Sequence, residues 1–554
     1  MAGILACRTS ICAPTSQVRT PMGIIFRSAK GSLRFFFTLC RSSLCTLVRL
    51  REKGCASTLT TTNAVAVRLS ERTRGLRDMA AFVDVPTGCR VSYGELAELV
   101  EGTALRLAQH GLVPGARVVL ALPNGLSFAV AYLAILSRGG TAVPANPNMP
   151  PAELVRLIRK VDPVAVVGLP EATAAGVTFV ANDGMALGTP DPDLAPGFRR
   201  DPDIGHVLLF TSGTTGEPKQ ALLDLPRLLY TANAVARHHR LGPGEVGFSP
   251  LPLFHVNAQV VGLLAALESG SALAIDDRFH ARDFWERAAL SSATWVNAVP
   301  AILTILADRE GSVPDRVRFV RSASAPLPRP VLDRFESKFG PLILETYGLT
   351  EAASQVAANT LDPVYRRAGS VGFPVGVRLE VVDEARQPCS AGVEGEVRIG
   401  GPSVLDGYLD AGTDGGPNQS FRDGWFYTGD YGYRDQSGYI FLTGRVRELI
   451  NRGGQKVAPR EVEEILLGHP GVLQALVIGV PDPILGEVVQ AHVVPRRSGG
   501  ARLLADLETL CEQHLGPYKR PTRIVLEKHL PAGPTGKPLR HVLRDQVLRA
   551  VSEG

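Results

Sequence analysis

The stretch Leu208-Leu209-Phe210-Thr211-Ser212-Gly213-Thr214-Thr215-Gly216-Glu217-Pro218-Lys219 constrains this 554-residue chain more than any other. An apolar run that reads as a strand passes directly into alternating hydroxyls and glycines and ends on a lysine. Glycines let successive backbone N–H groups turn inward, and such a nest holds an anion. The Ser and Thr hydroxyls add donors for phosphate oxygens, and Lys219 adds a mobile charge. A Walker A loop would need Gly-Lys-Ser/Thr at the mouth of a helix, a pattern this stretch does not have. A plain Ser/Thr/Gly surface loop is the competing reading, so the surroundings decide.

Those surroundings are α/β. Tyr93-Gly94-Glu95-Leu96 opens an amphipathic helix ending near Gly111, 118–122 reads as a buried strand, 127–136 as a helix and 142–144 as a strand start. The rhythm continues through strands at 207–210, Ala272–Ile275, 294–299 and 317–320. Continuous apolar strands between helices predict parallel sheets covered on both faces. After about residue 369, short strands at 377–382, 395–399 and 438–442 between Gly/Pro turns predict a small β-rich subdomain. Beyond Arg447, the helix Pro459–Leu467, a strand at 474–480, a helix at 503–514 and a tail predict a compact α+β unit.

Charge is unevenly spread. Residues 1–70 hold eight arginines and two lysines against the single acid Glu52, an excess larger than the net charge of +5 for the whole chain. The body is therefore mildly acidic, and the basic balance makes no case for nucleic acid. The leader 1–60 is rich in Arg, Ser and Thr and nearly free of acids, the composition of an organelle transit peptide. It predicts a mitochondrial or plastid matrix location, with a cytosolic protein carrying a disordered extension as the alternative. Ser552-Glu553-Gly554 does not match a Ser-Lys-Leu peroxisomal address. No run approaches the ~18 apolar residues of a membrane span. Five of the eight cysteines lie in the leader, and Cys89, Cys389 and Cys511 lack disulfide-framework or zinc spacing.

Four further motifs follow the phosphate-loop stretch in order: Tyr347-Gly348-Leu349-Thr350-Glu351; Trp425-Phe426-Tyr427-Thr428-Gly429-Asp430; Gly438-Tyr439-Ile440-Phe441-Leu442-Thr443-Gly444-Arg445; and Pro534-Thr535-Gly536-Lys537. Together the five resemble the signature set of the adenylate-forming superfamily, from about residue 75 to 550. The resemblance implies a large body of doubly wound α/β subdomains with a small β-barrel-like subdomain, an AMP-binding domain at 75–446. It also implies a small mobile α+β cap at 447–554. The implied enzyme is an ATP-dependent acyl-CoA synthetase that makes an acyl-adenylate and passes the acyl group to CoA.

By the same resemblance, Lys537 bridges the carboxylate and the α-phosphate, and Glu351 ligates Mg²⁺ beside Thr350, which bonds a phosphate. Thr211, Ser212, Gly213, Thr214, Thr215 and Lys219 hold the phosphates; Tyr347, Ser324 and Ala325 wall the adenine; Asp430 takes the ribose and Arg445 the ribose or a phosphate. Arg447 stands at the hinge, where Asp or Lys is usual, and Gln220 stands where the loop usually continues with Gly. Gly454 and Lys456 are assigned to CoA, with Arg452 and Arg460 as further cations for its phosphates or as solvated charges. The chain ends 17 residues after Lys537, so no carrier domain is expected and free CoA is the acceptor. Expected partners are small molecules.

The acid is read from His255 of Pro252-Leu253-Phe254-His255-Val256-Asn257, from Ala298-Val299-Pro300 and from Arg321-Ser322-Ala323-Ser324. These stretches look most like the oxalyl-CoA synthetase group, and Asn257, Ser322 and Ser324 would give a polar pocket for a small carboxylate. A short- or medium-chain fatty acid, a luciferase-like oxidase and a non-catalytic acyl-adenylate-binding protein are the alternatives.

Overall fold

The computed structural model describes residues 64–168, 204–211, 218–409, 417–497, 500–533 and 538–552, with the backbone of the short strands Arg27–Ser28, Gly31–Ser32, Phe179–Ala181 and Gly184–Met185. The chain divides into two units at Thr60/Thr61. Apart from the first two of those strands, the leader lies outside the described residues. So do Ser212, Gly213, Thr214, Thr215 and Lys537.

Buried apolar strands set the layout. Arg117–Leu120 pairs in parallel with Thr141–Pro144, and the helix Leu126–Ser137 between them is apolar all round because it is enclosed on every side. The first sheet runs, in spatial order, Lys219–Asp224, His206–Thr211, Thr141–Pro144, Arg117–Leu120, Ala165–Val167, Phe179–Ala181, Gly184–Met185. The second sheet has nine strands, in the order Phe373–Pro374, Ser354–Ala358, Ile343–Leu349, Phe319–Ser322, Trp295–Ala298, Val246–Ser249, Ala272–Ile275, Ala80–Asp84, Cys89–Ser92. Its inner strands are parallel and buried throughout, while both edges turn antiparallel. The α/β expectation is met on both sheets.

Three local features differ from the sequence reading. The helix Ala64–Leu76 packs onto the body, with Arg68 Nε donating to the buried Glu268 at 2.8 Å, so the packed chain begins before residue 75. His206–Thr211 and Lys219–Asp224 are antiparallel, so the phosphate-loop stretch joins two neighbouring strands. The tail holds a strand, Arg523–Leu526, and a helix, Arg540–Ser552.

The β-rich subdomain is a five-stranded antiparallel sheet in which Trp425–Arg434 pairs with Gly395–Gly400, Phe421–Arg422 and Ile440–Arg445. The cap has its own five-stranded sheet around Val472–Asp482 and Gly486–Pro495 and its own core, including Val457, Val477, Val489 and Leu507. Among the described residues, few polar contacts join cap to body: an Arg496–Asp308 ion pair, Lys456 to Glu384 at 2.9 Å, and Arg460 to the carbonyls of Leu442 and, at 3.5 Å, Leu327. Separate cores with thin contacts between them leave domain reorientation energetically accessible.

Candidate active site

Two adjoining cavities, of about 1040 and 460 Å³, lie where the body's sheets, the β-rich subdomain and the cap converge. Val299, Ser324, Gly348, Asp430 and Arg445 line both. The close turn at Gly348 brings Thr350 and Glu351 to the cavity. A Cβ there would sit 1.9 Å from the Ser354 carbonyl, so only glycine permits the bulged pairing of Ile343–Leu349 with Ser354–Ala358. Thr350 and Glu351 follow in a single 3₁₀ turn at the cavity wall.

On the phosphate side, Thr211, Lys219, Thr350 and Glu351 all line the larger cavity. Tyr408 donates its hydroxyl to Glu351 Oε1 at 2.5 Å, and Lys219 Nζ lies 4.7 Å from the centre of the Tyr408 ring. Carboxylate and hydroxyl oxygens on one wall are the donors a hard Mg²⁺ ion takes when it shares phosphate oxygens, so Glu351 fits the expected ion. Bound there, the ion would neutralise phosphate charge. Lys537 lies outside the described residues, but Pro538, which follows it, lines the smaller cavity with Tyr347 and Asp430.

The nucleoside side is built on strand register. Asp430 on Trp425–Arg434 stands opposite Arg445 on Ile440–Arg445, and Arg445 Nε donates to Asp430 Oδ1 at 3.0 Å. Tyr347 donates its hydroxyl to Asp430 Oδ2 at 2.5 Å. Burial first, and then the Asp430 charge, raise the Tyr347 phenol far above its ordinary range, which keeps it a proton donor in that bond. Ser324 and Ala325 line the smaller cavity with it, and Ser324 takes a left-handed backbone, φ +69°. A non-glycine residue in that region is strained and is held there by its surroundings.

The acid end of the larger cavity is walled by His255, Asn257, Arg321 and Ala323. Asn257 precedes a buried π-helical segment, Ala258–Leu264, and donates to Ser324 Oγ at 3.3 Å. Desolvation lowers the His255 pKa to about 4, so its imidazole is neutral at pH 7. Its Nε2 is buried and finds no partner among the described residues; the equally unpartnered Ser322 hydroxyl belongs to the lining of the smaller cavity, so Ser322 is not brought to the acid end as expected.

Gly454 and Lys456 line neither cavity. Gly453 and Gly454, at φ +59° and +84°, form the two-residue turn between Ile450–Arg452 and Gln455–Val457, a geometry that demands glycine in its own right. Arg452 donates to the carbonyls of Pro517, Tyr518 and Arg520, and Arg460 to that of Leu442 and to Glu464, so both hold structure within this arrangement. Arg447 lines the larger cavity from the turn Val446–Glu448. Sequence reasoning quoted Arg321 within a stretch without giving it a role, and passed over Tyr408 and the pair Arg156 and Lys160, which line the cavity from the helix Pro151–Val161. The i,i+4 spacing of Arg156 and Lys160 was a readable signal; nothing in the sequence marked Tyr408.

Cations, carboxylates and hydroxyls on the walls of a nucleotide-sized cleft suit an anionic nucleotide and acid, and comparison with known proteins gives the class, an AMP-forming acid–thiol ligase. The family model "AMP-binding enzyme" matches residues 69–409, and "AMP-binding enzyme C-terminal domain" matches 461–537. A sulfoacetate–CoA ligase of Cupriavidus necator is 36% identical over 86% of this chain and 96% of its own length. An oxalate–CoA ligase of Arabidopsis thaliana is 34% identical over 83% and 94%. Among solved structures, ATP-bound MatB from Rhodopseudomonas palustris superposes with a TM-score of 0.75 at 27% identity, covering 87% of this chain and 98% of that one. The chain belongs to the AMP-binding enzyme family.

Proposed function

We propose that this ATP- and CoA-using ligase activates a small, polar carboxylic acid of the oxalate and sulfoacetate class. The carrying observation is the acid end of the larger cavity, where Asn257 meets Ser324 beside a neutral His255 whose buried Nε2 finds no partner among the described residues. An alkyl chain laid against buried polar groups would leave them unpaired at considerable cost, whereas a compact oxygen-rich acid satisfies them. Relatives named for sulfoacetate and oxalate, at 36% and 34% identity, support the same reading.

In the first step a carboxylate oxygen of the acid attacks the α-phosphorus of ATP. The new oxygen–phosphorus bond forms as the bond to pyrophosphate breaks. Both reactants are anions, so the work of Lys219, Arg445 and Lys537 is charge neutralisation and in-line alignment. In the second step the CoA thiol, losing its proton, attacks the acyl carbon and AMP departs with the bridging oxygen. Pyrophosphate release with ATP, Mg²⁺ and CoA, across acids from oxalate to palmitate, tests the reading. A maximum at a two-carbon acid supports it, and a maximum at a medium-chain fatty acid overturns it.

A further inference from the structure

Arg321 is the residue of the acid chamber that the general reaction leaves unexplained. It lies on the strand Phe319–Ser322, is 1% exposed and lines the larger cavity beside His255 and Asn257. A guanidinium so deeply buried is ordinarily paired with a carboxylate. Here its partners are neutral amides: Nη1 donates to Asn257 Oδ1 at 2.9 Å and Asn297 Oδ1 at 3.1 Å, and Nε and Nη2 donate to Gln355 Oε1 at 3.3 and 3.2 Å. No carboxylate bonds to it among the described residues. Of the acids that line the same cavity, Glu351 is engaged by Tyr408, Asp430 by Tyr347 and Arg445, and Glu396 by the Gly429 amide, while Glu153 stands in the first turn of the helix Pro151–Val161. The imidazoles near it add no negative charge, and the pKa values of His238 and His239 are lowered by burial and by Arg321 itself.

Burial alone pulls Arg321 down to about 9, which still leaves it protonated at neutral pH. The wall beside His255 and Asn257 therefore carries a fixed positive charge in a low-dielectric setting, in addition to Lys219 and Arg445, which line the same cavity. The carboxylate that reacts is met by the catalytic cations, so a charge here is of use to a different group on the same molecule. Oxalate and sulfoacetate share such a group, a second full negative charge one or two atoms from the reacting carboxylate.

We infer that Arg321 is the specificity-determining counter-charge for a second anionic group, carboxylate or sulfonate, on the acid substrate, acting directly and through the Asn257 amide it orients. The inference rests on the small-acid reading above and adds to it a required charge and the residue that reads it. It also assigns Asn297 and Gln355 a role, that of holding the guanidinium in place with oxygen atoms that do not neutralise it.

The test is the ratio of kcat/KM for dianionic acids (oxalate, sulfoacetate) to that for monoanionic acids of matched size (acetate, propionate), measured by pyrophosphate release on the full chain. Arg321→Met should lower the ratio on the order of 10²-fold, the scale for removing one partner of a buried charge pair, while Arg321→Lys retains part of it. Asn297→Asp leaves the arginine in place and sets an acid on its Nη1 at nearly constant shape. It should collapse the ratio in the same way, and it keeps the inference testable if Arg321→Met does not fold. Equal losses for both acid classes in a variant that still binds AMP would make Arg321 merely structural and overturn the inference. Wild-type turnover of no dianionic acid would instead overturn the substrate reading on which it rests.

Discussion

The hydroxyl of Tyr347 and the carboxylate of Asp430 are joined at 2.5 Å across 83 residues of sequence, bringing the Tyr347-Gly348-Leu349-Thr350-Glu351 and Trp425-to-Asp430 motifs to a common wall. Asp430 is held on its other oxygen by Arg445, so the carboxylate is fixed at both ends. A ribose ligand must present its oxygens in one geometry, and this pair of bonds supplies it. Tyr347→Phe should raise the KM for ATP by about 10-fold, the scale of one hydrogen bond to a charged group, with a smaller effect on kcat. Steady-state kinetics at saturating acid and CoA checks this. A change in kcat alone would show that Tyr347 acts on the chemical step instead.

His255 should contribute no titration near neutral pH. Burial lowers its pKa to about 4, so between pH 6 and 8 it remains a neutral donor or acceptor. The kcat/KM profile for the acid is expected to show no inflection near 6.5 attributable to this side chain, and His255→Asn should leave the shape of the profile unchanged. An inflection near 6.5 that vanishes in the variant would show that the imidazole titrates in contact with substrate.

Lys537 should be needed for adenylation. Lys537→Ala is expected to cut pyrophosphate release by about 10²–10³-fold, as for loss of one preorganised donor to developing charge. Its effect on thioester formation from supplied acyl-adenylate should be far smaller. Comparable losses in both half-reactions would contradict a role confined to the first.

The leader makes a separate prediction. Residues 1–60 fused to a fluorescent reporter should carry it into mitochondria or plastids, because the segment is cationic and almost free of acids. Diffuse cytosolic fluorescence would favour the extension reading instead.

Glu345 gives a stability prediction with a definite sign. Its carboxyl is buried, accepts the Gly369 amide at 2.7 Å, and is raised by desolvation to about 7. The folded state therefore holds a proton that the unfolded chain releases near 4.5. Stability from this group is greatest below 4.5 and is lost as pH rises through 7. Glu345→Gln keeps an oxygen for the Gly369 amide and cannot ionise. It should be more stable than wild type at pH 8, by up to about 3 kcal/mol, with the difference vanishing near pH 4.5. Calorimetric Tm values at the two pH values decide it, and an equal shift at both would mean packing and not ionisation is responsible.

The parts of this molecule legible in the sequence are those encoded locally. Ala272–Ile275 and Pro459–Leu467 lie at the boundaries expected of them, because four consecutive buried residues and a Pro-started amphipathic run carry their own signals. Thr350 and Glu351 were legible only through the likeness of their five-residue motif to a family signature, and the close backbone approach at Gly348 supplies a physical reason for the glycine in it. Arg321 was not, since one arginine in an apolar strand reads as an interruption until the fold places three amides around it. Gly454 was legible as a glycine, but a tight turn explains it as well as a thiol tunnel does. Long-range partners such as Arg68 with Glu268, 200 residues apart, have no local signature.

The thin cap–body contacts yield the last prediction. The Arg496–Asp308 ion pair and the bond from Lys456 to Glu384 connect the two parts only in the cap orientation seen here, in which Pro538 lines the nucleoside cavity and Gly454 stands away from it. Lys456 and Glu384 are largely solvent-facing, so their pair is worth at most about 1 kcal/mol, and the half-buried Arg496–Asp308 pair somewhat more. That is small for folding but comparable with the balance between two cap positions, where 1.4 kcal/mol is a tenfold change in population. The variant Asp308→Ala/Glu384→Ala should therefore leave Tm within about 2 °C of wild type. It should slow adenylate formation several-fold without slowing thioester formation from supplied acyl-adenylate. Rapid-quench measurement of each half-reaction separates the two effects. Equal slowing of both would mean that the contacts stabilise the cap itself, and no change in either would mean that orientation is set elsewhere along the seam, with Arg460 and the Leu327 carbonyl the next pair to break.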